Sequence, residues 1–68
     1  MIIDIVKEYQ GKHVTIVSDG MEWRGLAESF TWSYDEVDGI DKLYLIEDGT
    51  GDCIEFAIPG IDSIKEID

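Results

Sequence analysis

The chain has one cysteine, one proline, one histidine and no asparagine, and only five lysines and arginines against sixteen aspartates and glutamates. Each scarcity excludes something. Cys53 closes no internal disulfide, whereas a secreted domain of this size carries about two to four bridges, so a reducing, cytoplasmic setting is expected. Lys7, Lys12, Arg24, Lys42 and Lys65 are scattered along a chain of net charge -11. Nucleic acids and anionic membranes are held by clustered cations, so neither is an expected partner. No apolar run approaches the roughly 18 residues of a membrane span. The segment 1–7 has no basic stretch and carries Asp4, so it does not read as a signal peptide. His13 has no second histidine or cysteine pair, which argues against structural zinc. No nucleophile–histidine pairing is legible either, so the chain is not expected to be an enzyme and no cofactor is expected.

What is present is a foldable composition. Of 68 residues, 44% are hydrophobic and 31% charged, the balance of a globular domain and not of a disordered tail. One domain spanning 1–68 is expected. A chain this short buries about 60% of the surface its unfolded form exposes, which leaves little room for a deep catalytic cleft.

Periodicity divides the chain into six segments. Ile2, Ile5, Val6 and Tyr9 recur at helical spacing ahead of Gly11, which predicts a short helix over 2–10, with a strand as the alternative. From residue 12 the period becomes two, and a strand over 12–18 ends at Asp19-Gly20, a hairpin signal. The next strand, 21–32, is long and contains Gly25, the mark of a bulge or sharp bend. Leu26, Ala27, Phe30 and Trp32 do not share one face in simple alternation, which a strongly bent strand would explain. A polar, acidic connection over 33–41 follows. Strands over 42–47 and 52–58 flank the turn Asp48-Gly49-Thr50-Gly51, and Pro59-Gly60 separates the fourth from a last strand over 61–67. Ile61, Ile64 and Ile67 recur every three residues, which suggests a 3₁₀ turn leading into that strand. Five short antiparallel strands with one bent member predict an all-β fold, a small five-stranded barrel with an N-terminal helix.

The run Gly11-Lys12-His13-Val14-Thr15-Ile16, with Asp19-Gly20, Trp23-Arg24-Gly25, Ala27 and Phe30, resembles the first motif of the Sm-like (LSm) family. Ile58-Pro59-Gly60-Ile61-Asp62-Ser63-Ile64 resembles the second. The resemblance covers residues 2–67 and implies an Sm-like, SH3-like barrel, in which Gly20, Gly25, Pro59 and Gly60 are structural. Members of that family clamp single-stranded RNA with an aspartate, an asparagine and a basic residue from the motif loops. Here Thr31 follows Phe30, asparagine is absent, and Pro59 stands where the basic residue belongs, so RNA binding is not carried over.

Two constellations remain. Asp35, Asp38 and Asp41 surround Gly39 in a loop that has the donor chemistry of a hard cation site but not the EF-hand register, and a solvated acidic loop is the expectation. Asp48, Asp52 and Glu55 read the same way. Trp32 and Tyr34 beside Asp35 and Glu36 form an aromatic patch among carboxylates, suited to a cationic or proline-rich peptide. The expected function is therefore a non-catalytic protein-interaction or assembly module, with a basic protein or peptide as partner and self-association through edge strands. An RNA-binding oligomer and a weakly cation-responsive barrel are the alternatives.

Overall fold

The structure is a computed structural model that describes residues 6–32 and 39–67. A 3₁₀ turn, Lys7–Tyr9, leads into β1 (His13–Ser18), β2 (Met21–Thr31), β3 (Lys42–Glu47) and β4 (Cys53–Ala57). A second 3₁₀ turn, Ile58–Gly60, delivers the chain to β5 (Ile61–Glu66). All pairings are antiparallel, in one sheet of order β4-β3-β2-β1-β5.

The fold is all-β, as the alternation implies, but one finer expectation changes. The sheet does not close into a barrel: β4 and β5 are its two edges and do not pair with each other. The physical reason lies in their connection. Ile58–Gly60 is a 3₁₀ turn, so the chain leaves β4 across the end of the sheet, and β5 then takes β1 as its partner. The N-terminal helix expected over 2–10 falls partly outside the described residues. Residues 2–5 are not among them; Val6 has helical backbone and the 3₁₀ turn Lys7–Tyr9 follows it. Val6 and Tyr9 nevertheless serve as the periodicity implies, Val6 fully buried in the core and Tyr9 packed against it.

The hairpin at Asp19-Gly20 has positive φ at both central residues, 53° and 76°, the requirement of the turn that matches strand twist. Beyond it, β2 changes partner faces by an inserted residue. Ala27 pairs with Leu45, but Ser29 pairs with Tyr44, so Glu28 is a bulge. Before the bulge Trp23, Gly25 and Ala27 share the inner face. After it the parity flips, and Phe30, opposite Leu43, returns to that face. This resolves the broken alternation without a strand that serves two separate cores. A second bulge does the same in β5: Ser18 pairs with Ile61 and Val17 with Ser63, so Asp62 is extra, and Ile61 and Ile64 both point inward three residues apart.

Gly25 is required by space. A Cβ there would sit 2.8 Å from the Ile46 carbonyl carbon and 3.0 Å from Glu47 Cα, inside van der Waals contact with backbone that cannot swing away. The close approach is fastened beside it, where the Asp48 N–H donates to the Arg24 carbonyl at 2.9 Å. Gly60 is different: a Cβ on it meets nothing within 4 Å, so no close approach demands a glycine there. The core on the concave face is built from Val14, Ile16, Ala27, Leu43, Leu45 and Phe56, with Ile58, Ile61 and Ile64 arriving from the last third of the chain. Among the described residues no helix is long and apolar enough to cross a membrane.

Candidate functional site

The sequence-predicted sites fall mostly on the acidic loop. Tyr34, Asp35, Glu36 and Asp38 lie outside the described residues. Trp32 is half-buried and stacks on Phe30, ring centroids 6.3 Å apart at 15°, which fixes it at the end of β2. Asp41 is half-buried, and its carbonyl accepts the Ile58 N–H at 2.9 Å, extending the β3–β4 ladder. Asp48, Asp52 and Glu55 do not converge. The Asp48 carboxylate meets His13 Nε2 at 2.5 Å, and Glu55 accepts from the Tyr44 hydroxyl at 3.1 Å. Among the described residues no three His, Cys, Asp or Glu side chains are placed to share a metal ion.

The structure assembles a different site, at the open margin of the sheet. A groove of about 310 Å³ runs between β4 and the end of the β1–β2 hairpin. Its apolar lining comes from Met21 and Trp23 of β2 and from Ile54 and Phe56 of β4. Trp23 and Phe56 meet edge to face, centroids 5.8 Å apart at 74°, a favoured aromatic geometry. Phe56 is 7% exposed, Trp23 is half-buried, and Met21 is 57% exposed, so the groove grades from a packed floor to an open lip. One end is closed by the Ser18 hydroxyl, which donates to the Gly60 carbonyl at 2.9 Å.

The charged side chains lining this groove, among the described residues, are Asp19 and Glu55, both acidic. Asp19 stands on the hairpin turn and Glu55 on the outer face of β4. Glu55 is held there by Tyr44 and approached by Lys42 Nζ at 3.9 Å, yet its side chain keeps about half its exposure.

Beside the groove runs the free edge of β4. Antiparallel ladders alternate residues that bond their partner strand with residues that face away from it. The Ile58 N–H donates to Asp41 and the Glu47 N–H to the Asp52 carbonyl. Those pairs fix the phase: Ile54 and Phe56 bond β3, opposite Leu45 and Leu43. Cys53, Glu55 and Ala57 therefore turn their backbone N–H and C=O groups outward, where no strand among the described residues takes them. Pro59 lies beyond this edge, exposed in the following 3₁₀ turn, and does not blunt it.

Sequence reasoning missed this site. Trp23 and Phe56 are far apart in the chain, and only the topology brings them together. The signal that was legible is the excess of aromatic residues over what so small a core absorbs. No family model, curated protein or solved structure matches this chain.

Proposed function

We propose that this chain is a non-catalytic protein-interaction module built on a small Sm-like, SH3-like sheet. The observation that carries the reading is the apolar groove at the free edge of β4, with acidic side chains on its rim. Apolar floor, adaptable methionine lip and unpaired strand edge are the elements with which protein surfaces take up peptide segments. His13 and Glu55 are engaged in structural contacts, with Asp48 and Tyr44, which favours binding over acid–base chemistry at these groups. The Sm-like assignment is supported by the strand order, in which the last strand returns to pair with the first. It does not bring RNA with it. A net charge of -11 opposes the counterion release on which phosphate binding depends.

Trp fluorescence titrations test the reading, with lysine-rich peptides, U-rich and A-rich single-stranded RNA and Ca²⁺ as parallel ligands. Saturable binding of peptide alone is the expected result. Saturable, salt-sensitive RNA binding tighter than about 10⁻⁴ M would replace the reading with an RNA-binding oligomer. A Ca²⁺-dependent rise in melting temperature would favour the cation-responsive alternative.

A further inference from the structure

We propose that the outer edge of β4 receives an extended, cationic segment of a partner protein as a sixth strand, seating apolar side chains of that segment in the Trp23–Phe56 groove. The proposal rests on the reading of the chain as an interaction module and names the partner's chemistry.

Three observations select this occupant. First, Cys53, Glu55 and Ala57 present both donors and acceptors along one line. A β-conformation segment satisfies both kinds. A proline-rich segment cannot, because proline has no N–H to give. Second, a strand laid on that edge alternates its side chains between two faces. One set enters the concave side next to Ile54 and Phe56, where the groove lies open under Met21. The other set stands on the outer face beside Glu55. Third, the charges lining the groove are both negative, and the whole chain carries -11. A cationic segment is drawn to this margin, and a second copy of the same acidic chain is repelled from it.

The fold supplies a clean probe of the edge. Ala57 has φ -70° and ψ 119°, a backbone that proline adopts without strain, and its N–H points outward. Ala57→Pro therefore removes one edge donor and places a ring on the docking line while leaving the native ladder intact.

The experiment is an amide NMR titration with a short capped peptide alternating lysine and valine. Its controls are the same peptide with glutamate for lysine and one with proline for alternate valines. The expected result is that the lysine peptide shifts the amides of Cys53, Glu55 and Ala57 and the Trp23 indole, and slows hydrogen exchange at those three amides. The two controls do not. Ala57→Pro melts within a few degrees of the parent and binds about tenfold or more weakly, and Glu55→Lys weakens the lysine peptide about tenfold. Binding with its shifts centred on Trp32, away from β4, overturns the proposal and leaves the interaction-module reading standing. Failure of every peptide to bind overturns both. Protection of the three edge amides in a peptide-free dimer or larger assembly assigns the edge to a second copy and overturns the proposal.

Discussion

The indole of Trp23 meets the ring of Phe56 edge-on at 5.8 Å, and this contact ties the first half of β2 to β4 across the concave face of the sheet. The two strands are not neighbours: β3 pairs with β4, and β2 with β3. The contact reaches across β3 and lines the groove. Trp23→Leu and Phe56→Leu keep apolar bulk while removing the ring pair. A double-mutant cycle by urea denaturation is expected to show a coupling of about 0.5–1.5 kcal/mol. Additive single effects would mean that the rings merely lie close.

Gly25→Ala is expected to cost about 2 kcal/mol or more, since the new Cβ meets the backbone of Ile46 and Glu47 and β3 must withdraw. Gly25→Val costs more. For a chain of this length that is a large share of total stability. Thermal melting followed by circular dichroism reads it, and an alanine variant melting within a degree or two of the parent would contradict the close approach.

Glu28 is the extra residue that returns Phe30 to the inner face. Deleting it leaves strict alternation with Phe30 still opposite Leu43 on the inner face, so it removes the local bend of the bulge and keeps the register. A cooperative unfolding transition is expected to survive the deletion, and its loss would contradict the assignment of Glu28 as the extra residue. Substituting Glu28 by alanine, which keeps the bulge, is expected to change stability by less than about 0.5 kcal/mol, because the side chain is exposed.

These two positions show how legible the fold was. Asp19-Gly20 announces its hairpin because the turn needs positive φ at both centres, and aspartate and glycine tolerate it. Gly25 announces a bend in the same way, though the cause is crowding by β3 and not its own dihedral angles. Glu28 announces nothing. A bulge is a property of two strands and their register, and a glutamate is unremarkable in either. The open margin was hidden for a related reason. Strand periodicity says which residues face inward, but whether β4 finds β5 depends on the direction the chain takes at Ile58–Gly60. The candidate site followed the same rule. Local composition pointed to the aromatic and acidic residues around Trp32, while the groove joins Met21 and Trp23 to Ile54 and Phe56 from distant segments.

Self-repulsion follows from sixteen acids and five bases on one small surface. Raising NaCl from about 0.01 M to about 1 M shortens the screening length from about 30 Å to about 3 Å. Stability is expected to rise by about 1 kcal/mol, which for a domain of this size is about 4–8 °C in Tm. A Tm that is flat or falling across that range would show that the ion pairs Lys12–Glu66 and Arg24–Glu22 outweigh the repulsion.

The central claim is that β4 carries an open edge. Residue-resolved hydrogen exchange on the unliganded monomer tests it most directly. Ile54 and Phe56 donate to β3 and are expected to be protected, while Cys53, Glu55 and Ala57, in the same strand, exchange rapidly. Uniform protection along 53–57 in a monomer of verified mass would mean that the edge is covered, and would contradict the account.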